Sequence, residues 1–175
     1  KNGPFDETHK TNPLNYYGET KVESEKIVSE INDYLIIRTA WVNDVGPNSR
    51  SFVMQVINSL QNGNVFNAPI DQFGHPTYST NLAEIIIELI KNNYNGIFHV
   101  TGSTYIDRFH FAKKIAKAFD LNPEMIHETT TDLNQSHTRP MKVQMKLDKL
   151  KSSISTKILS LDEQLDSMRN NYHIV

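Results

Sequence analysis

Residues 12–42 read "NPLNYYGETKVESEKIVSEINDYLIIRTAWV", a polar segment with helical features followed by a short apolar run. Asn12 can cap free backbone N–H groups and Pro13 suits a first helical turn, so a helix is predicted over about residues 13–30. The run at residues 34–42 is rich in branched side chains and short for a buried helix, which favours a buried strand. A strand so soon after a helix indicates an α/β unit.

Alternating helices and strands continue along the chain. Apolar spacing predicts three further helices and one further strand, which cover residues 51–63, 81–93 and 107–119 for the helices and 95–102 for the strand. The helix over residues 81–93 is apolar on most sides and is expected to be buried, with Asn81 and Glu84 at capping-box spacing. Ser160 and Glu163 show the same spacing before a last helix that ends near Tyr172. This order predicts an α/β fold with a largely parallel sheet.

The composition narrows the function classes. The chain has 175 residues and no cysteine, which excludes a disulfide framework, thiol catalysis and cysteine-ligated zinc. A formal net charge of -2, with no block of like charge, makes neither nucleic acid nor a membrane surface an expected partner. The longest apolar run is too short to cross a membrane and the polar start is no signal peptide, so we expect a cytoplasmic protein. The 7 histidines are scattered, and no metal site is expected.

Tyr17 and Lys21 lie four residues apart, just inside the predicted first helix. Residues at this spacing share one helical face, and a lysine ammonium beside a phenol favours the phenolate. A tyrosine tuned in this way can act as a general acid near neutral pH. The same spacing also arises by chance, and the structural alternative places Tyr17 at the helix edge with Lys21 in solvent. The spacing alone favours that alternative.

Five segments resemble, in one order along the chain, those of the extended short-chain dehydrogenase/reductases. They are "PLNYYGETK" (residues 13–21), "IIRTAWV" (36–42), "DQFGHPTYSTNLAE" (71–84), "GIFHVTG" (96–102) and "RPMKVQMKLDKL" (139–150). The series resembles the dTDP-4-dehydrorhamnose reductase family from Gly3 to about Leu150, and several ordered motifs are more specific than any one alone. The resemblance implies the C-terminal part of a Rossmann-like doubly wound parallel sheet, plus a small substrate-binding α/β region.

The resemblance also implies the chemistry. Hydride would pass from NADPH, or from NADH, to the C4 ketone of dTDP-4-dehydro-6-deoxy-L-mannose (dTDP-4-dehydrorhamnose), giving dTDP-L-rhamnose. Tyr17 would protonate the developing alkoxide, Lys21 would hold the nicotinamide ribose hydroxyls, and an upstream serine or threonine would complete the triad. The backbone at Arg38 and Thr39 would lie beside the nicotinamide. The implied catalytic residues are therefore Tyr17 and Lys21, and both also belong to the implied cofactor site.

On the substrate side, the resemblance implies contacts from Trp41, Gln72, Thr77 and Arg139. Trp41, the only tryptophan of the chain, would line the sugar pocket, where the alternative is a core aromatic residue. Gln72 and Thr77 belong to a block that would shape the loop over the substrate nucleotide, although its glycine and proline suit turn geometry equally well. Arg139 would contact the substrate diphosphate through its guanidinium, with a surface salt bridge as the alternative.

Two features depart from the family pattern. Ser51 stands where the family has an asparagine, which changes an expected substrate contact. No glycine-rich phosphate loop occurs in the chain, although a dinucleotide fold needs one at its first helix. We therefore expect residues 1–46 to be the C-terminal part of the dinucleotide-binding domain, and residues 47–175 to be mainly the substrate-binding region with returning Rossmann elements. The N-terminal cofactor-binding half is expected to lie outside this chain, which alone would bind NADPH weakly and be inactive.

Two other functions are consistent with the same motifs. The regulatory β subunit of methionine adenosyltransferase resembles these reductases and would act without catalysis, by docking on a partner enzyme. An extended short-chain nucleotide-sugar epimerase or dehydratase is the second alternative, and net hydride consumption separates a reductase from an epimerase. The resemblance also allows a homodimer. The sequence leaves open which sugar nucleotide is used, and whether NADPH or NADH is preferred.

Overall fold

The structure is a computed structural model, and it describes residues 3–131 and 140–172. Within these ranges the chain forms six α-helices: α1 (Tyr16–Ser29), α2 (Phe52–Gln61), α3 (Ser79–Lys91), α4 (Arg108–Ala118), α5 (Asp148–Ser153) and α6 (Leu161–Tyr172). The same ranges contain eight short strands: β1 (Leu35–Arg38), β2 (Val42–Asn43), β3 (Phe66–Pro69), β4 (Phe73–Gly74), β5 (Thr77–Tyr78), β6 (Gly96–His99), β7 (Ile106–Asp107) and β8 (Ile126–Thr129).

The strands pair two by two, and most of the pairs are parallel. β1 pairs with β6, β2 with β5 and β3 with β8 in parallel, whereas β4 and β7 are antiparallel. In the first pair Leu35 lies opposite Gly96 and Arg38 lies opposite His99. The predicted α/β fold with largely parallel strands is confirmed. The strand predicted over residues 34–42 is interrupted before β2, because Trp41 has a left-handed φ of 44°.

The first helix begins later than its sequence predicted. The Asn15 side chain accepts a hydrogen bond from the Gly18 N–H at 2.8 Å, so Asn15 and not Asn12 is the cap. No residue of α1 is buried. In contrast, the capping box before α6 is confirmed, since the Glu163 carboxylate accepts from the Ser160 N–H at 2.8 Å and the Glu163 N–H donates to the Ser160 hydroxyl at 3.4 Å.

The prediction for α3 was wrong in two respects. Only one face packs in the interior, where Ile85 and Leu89 are buried, whereas Ile87 and Ile90 are 51% and 58% exposed. Asn81 lies inside the helix and does not cap it. Its side chain donates to the Glu84 carboxylate at 3.3 Å and also bonds the backbone that leads into α6, with a donated bond of 3.1 Å and an accepted bond of 3.3 Å. A tertiary contact therefore uses the side chain that local spacing had assigned to a cap.

Two hydrophobic clusters hold the elements together. The larger joins α2, α4 and α6 with β3 and β8, and its fully buried residues include Val53, Ile57, Phe111, Ile115 and Leu165. The smaller joins α3, α5 and β6 through residues Ile85, Leu89, Phe98, Val100, Leu147 and Leu150. Among the described residues, no helix is long and apolar enough to cross a membrane.

Candidate active site

Tyr17 and Lys21 lie one turn apart on the same face of α1. The Lys21 Nζ is 5.4 Å from the centroid of the Tyr17 ring, within the range of a cation–π contact. Tyr17 is 70% exposed. The structure therefore places an exposed tyrosine and a lysine ammonium together on one face of α1, as the spacing predicts.

Arg38 connects the helix of this pair to the parallel strands. Its Nε donates to one Glu25 carboxylate oxygen at 2.8 Å and a terminal nitrogen donates to the other at 2.6 Å, which is a bidentate pair. Hydrogen bonding to Glu25 raises the pKa of Arg38 above its ordinary value. Thr39 follows at an exposed position between β1 and β2. The Arg38 side chain thus anchors α1, while Thr39 lies at the surface.

Trp41 is held in place by close contacts on several sides. Its ring stacks on Phe111 with centroids 6.4 Å apart and an interplanar angle of 11°. A Cβ atom built on Gly74 would lie only 2.6 Å from the indole, so Gly74 leaves room for this ring. The guanidinium carbon of Arg108 lies 3.8 Å from the indole centroid. Trp41 is only partly buried, and its remaining surface faces a cavity.

That cavity has a volume of about 460 Å³ and lies between β2, the start of α2 and the start of α4. Trp41 and Phe52 supply aromatic surface, and Arg50 and Arg108 supply positive charge. Gln72 contributes an amide, which donates to the Thr131 hydroxyl at 3.0 Å. None of the described residues that line the cavity is acidic. The lining suits a ligand that is partly flat and partly anionic.

Sequence reasoning identified Trp41 and Gln72 in this cavity but missed Arg50, Phe52 and Arg108. Arg108 is the first residue of α4, and the sequence predicted that segment only as a helix over residues 107–119. Its aromatic neighbours come from segments far away along the chain. The only local signal for Arg108 was a basic residue at the start of a helix. Basic residues are common at such positions, so this signal does not identify a binding residue.

Thr77 is buried and its polar groups are used within the fold. Its hydroxyl donates to the His75 carbonyl and accepts from the Gly102 N–H, both at 3.2 Å, and its own N–H donates to the Trp41 carbonyl at 3.1 Å. The neighbouring His75 is also buried, with ring nitrogens bonded to the Gly102 carbonyl at 3.1 Å and the Met145 N–H at 3.2 Å. Burial lowers the pKa of His75. These side chains support the wall behind Trp41.

The remaining candidate residue is Arg139, which lies outside the described residues. In the part of the chain that the structure describes, no three histidine, aspartate or glutamate side chains are placed to hold a metal ion. The predicted substrate residues thus separate into three groups. Trp41 and Gln72 line the cavity, Thr77 lies behind it, and Arg139 has no described position.

Comparison with known proteins identifies relatives over nearly the whole chain. The family model described as RmlD substrate binding domain matches residues 1–174. A dTDP-4-keto-6-deoxy-D-glucose reductase from Streptomyces niveus is 28% identical over 74% of this chain and 45% of its own length. Subunit beta of methionine adenosyltransferase 2 from Xenopus tropicalis is also 28% identical, over 84% of this chain and 46% of its own length.

The fold is similar to that of a solved reductase. The dTDP-4-dehydrorhamnose reductase of Bacillus anthracis str. Ames, in complex with NADP, superposes with a TM-score of 0.85 at 28% identity, over 95% of this chain and 57% of that protein. The chain therefore spans about half the length of the relatives it matches.

Proposed function

The chain belongs to the family of RmlD substrate binding domains, and from that membership we propose that it supplies the sugar-nucleotide site of a reductase. The proposed reaction is NADPH-dependent reduction of dTDP-4-dehydro-6-deoxy-L-mannose to dTDP-L-rhamnose. The observation that carries the proposal is the cavity beside Trp41, which combines aromatic surface with two arginines and lacks acidic groups among its described lining residues. Such a lining complements a nucleotide sugar, which has planar and anionic parts.

The proposed chemistry assigns the proton to Tyr17. NADPH, when bound, supplies the hydride that reduces the C4 ketone. The Tyr17 phenol then holds the proton for the C4 oxygen, and the ketone becomes an alcohol when hydride and proton have both been added. Lys21, whose Nζ lies 5.4 Å from the centroid of the Tyr17 ring, would hold the ribose hydroxyls of the cofactor. The residues fit these roles because the phenol is 70% exposed and Lys21 lies on the same face.

The domain assignment belongs to the same proposal. Residues 1–46 would form the C-terminal part of the dinucleotide-binding domain, with Arg38 and Thr39 beside the nicotinamide. Residues 47–175 would be mainly the substrate-binding region, in which Gln72 contacts the substrate. Trp41 would contact the substrate from the end of the first region. NADP in the complex of the Bacillus anthracis relative supports NADPH as the cofactor.

The test is NADPH oxidation by the full-length protein with dTDP-4-dehydro-6-deoxy-L-mannose. Tyr17→Phe should lower kcat by about 10²- to 10⁴-fold, the usual contribution of a positioned proton donor, and should leave NADPH binding intact. Tyr16→Phe is the matched control, because Tyr16 is the adjacent tyrosine and is 80% exposed. An unchanged kcat in Tyr17→Phe would show that this residue is not the acid.

A regulatory function is the second candidate, and the similarity to a methionine adenosyltransferase subunit supports it. In that case the full-length protein would bind NADPH without oxidising it in the presence of the sugar nucleotide. It would also co-purify with a methionine adenosyltransferase, and Tyr17→Phe would leave that association unchanged. Turnover in the wild type that depends on Tyr17 would exclude a purely regulatory role.

A further inference from the structure

We infer that Glu25 is a positioning residue for Tyr17, because its ion pair with Arg38 fixes the rotation of α1 about its own axis. The inference rests on the proposed function, in which Tyr17 delivers the proton. It adds a residue that supports the reaction through Tyr17, without a contact to substrate or cofactor. Glu25 lies outside the five segments that carried the family resemblance.

Tyr17, Lys21 and Glu25 form one stripe along α1. They are spaced four residues apart, and residues at this spacing are neighbours on a helical surface. The contact between the Lys21 ammonium and the Tyr17 ring covers the first half of the stripe. Glu25 follows Tyr17 after two turns, about 12 Å along the helix axis. Because a helix turns as a unit, the direction fixed at Glu25 also sets the direction of Tyr17.

The other contacts of α1 do not fix this direction. No residue of the helix is buried, so no apolar side chain holds it in a core. Its hydroxyl side chains donate to carbonyls of the same helix, and Lys26 pairs with Glu23 one turn away. Among the residues that the structure describes, the pair of Glu25 with Arg38 is the only hydrogen-bonded link between an α1 side chain and another element.

Arg38 is a firm anchor for this link because it belongs to a paired strand. It is the last residue of β1 and lies opposite His99 of β6, and its carbonyl accepts from the Val100 N–H at 2.9 Å. The Glu7 carboxylate accepts from the His99 N–H at 3.0 Å. Hydrogen bonding to Glu25, and in addition the charge of Glu7, raise the pKa of Arg38. The guanidinium is therefore held at the carboxyl end of two parallel strands, where α/β folds bind their ligands.

The geometry of the pair makes it suitable for positioning. Arg38 engages both carboxylate oxygens of Glu25, and a bidentate contact constrains direction as well as distance. The two side chains are only 20% and 23% exposed, whereas those of Lys26 and Glu23 are 67% and 63% exposed. Partly buried charges are screened less by salt than exposed ones. A change in the reach of Glu25 should therefore move α1.

The experiment measures NADPH oxidation by the full-length protein with dTDP-4-dehydro-6-deoxy-L-mannose, at a temperature where thermal unfolding shows each variant to be folded. Glu25→Asp keeps the charge but shortens the reach by about 1.5 Å, so α1 must shift to keep the pair. We expect kcat to fall by about 5- to 30-fold, because a misplacement of about 1 Å can cost up to about 100-fold. The KM for the sugar nucleotide should change by less than about twofold, since no residue of α1 lines the cavity among the described residues.

Two more variants frame this result. Glu25→Gln keeps the length but loses the charge, and we expect a similar fall in kcat. Glu23→Gln is the matched control, because it removes the same charge from α1 at a position that pairs only within the helix. It should leave kcat and KM unchanged. If Glu25→Gln does not fold, the charged Glu25→Asp still tests the inference.

A second measurement asks whether Glu25 acts through Tyr17. In the Tyr17→Phe background no phenol is left to position, so Glu25→Asp should lower the residual kcat by less than about twofold. A purely structural role would leave the kcat of the folded enzyme unchanged in both backgrounds. General damage to the site would lower kcat by the same factor in both.

The direction of Tyr17 can also be followed without turnover. In full-length protein labelled with 3-fluorotyrosine, the fluorine resonance that is missing from Tyr17→Phe belongs to residue 17. This resonance should shift in Glu25→Asp and keep its position in Glu23→Gln.

Three results would overturn the inference: a wild-type kcat in folded Glu25→Asp, an equal loss of kcat in the Tyr17→Phe background, or an unshifted resonance of residue 17 in Glu25→Asp. Failure of the reductase proposal gives a different pattern. In that case the wild type does not oxidise NADPH with the sugar nucleotide, while the resonance of residue 17 still shifts in Glu25→Asp.

Discussion

Substitution of Gly74 by alanine should destabilise the protein through one side chain, that of Trp41. A Cβ atom at position 74 would lie 2.6, 2.8 and 2.9 Å from three atoms of the indole. Carbon atoms pack favourably at about 3.5–4.0 Å, so the indole would have to retreat by roughly 1 Å. Retreat is resisted because Phe111 stacks on the ring and Arg108 lies 3.8 Å from its centroid.

The size of the change in the free energy of unfolding follows from two opposing effects of the added methyl group. Overpacking of a well-ordered side chain destabilises by about 1–3 kcal/mol. The φ of Gly74 lies outside the left-handed region, so alanine is compatible with the backbone and contributes about 0.4–1 kcal/mol of stability through the unfolded state. We therefore expect Gly74→Ala to lower the free energy of unfolding by about 1–2 kcal/mol, and to raise the KM for the sugar nucleotide because a cavity wall moves.

Urea unfolding of four proteins tests this reasoning: the wild type, Gly74→Ala, Trp41→Leu and the double variant. In the Trp41→Leu background the clash is absent, so Gly74→Ala should be neutral or slightly stabilising, by up to about 1 kcal/mol. The coupling energy between the two positions should therefore exceed about 1 kcal/mol. An equal loss of stability in both backgrounds would refute the reasoning, because the added methyl group would then clash with something other than the indole.

Three further predictions concern charged and titratable groups. Hydrogen bonds from the turn after α5 lower the pKa of Glu88 to about 2 from its ordinary 4.5. Its stabilising effect should be present above about pH 4.5 and vanish as the pH falls towards 2, so the thermal midpoints of wild type and Glu88→Gln should converge there. Burial lowers the pKa values of His75 and His99 below 6.5. Unfolding then takes up protons in mild acid, and the free energy of unfolding should fall below about pH 6.5, whereas a flat profile would contradict these directions. Glu25→Gln should lower the free energy of unfolding by about 1–2 kcal/mol, because it removes the charge that Arg38 holds in a bidentate pair. Hydrogen exchange should become faster across α1, and an unchanged rate would contradict the anchoring role.

Elements determined by neighbouring residues could be predicted from the sequence. The capping box of Ser160 and Glu163 formed as expected, because both partners lie within one helical turn. The second helix, predicted over residues 51–63, ends at Gln61, and Gly63 follows with a left-handed φ of 72° that suits a helix end. Asn81 was wrongly assigned as a cap because α3 begins at Ser79, two residues earlier, and because its amide bonds the backbone before α6, a distant contact about which local spacing contains no information.

The candidate site also has a part that the sequence could predict and a part that it could not. The Tyr17–Lys21 contact could be anticipated, since a helix alone sets that geometry. The cavity could not, because Trp41, Phe52 and Arg108 are brought together by the packing of β2, α2 and α4. The family resemblance located Trp41, but a resemblance transfers only residues that share the family pattern. Arg108 had no place in the motifs that carried the resemblance, and only the fold reveals it.

The block at residues 71–78 shows how one motif can serve two purposes. Before Gly74, Gln72 lines the cavity and its backbone carbonyl holds the N–H of Arg108 at 3.1 Å. After Gly74, the buried hydroxyl of Thr77 forms hydrogen bonds with the backbone of His75 and Gly102. Gly74 separates the two halves, and its missing side chain is what the indole of Trp41 requires. A substitution at Gln72 should therefore affect ligand binding more than stability, whereas one at Thr77 should affect stability first.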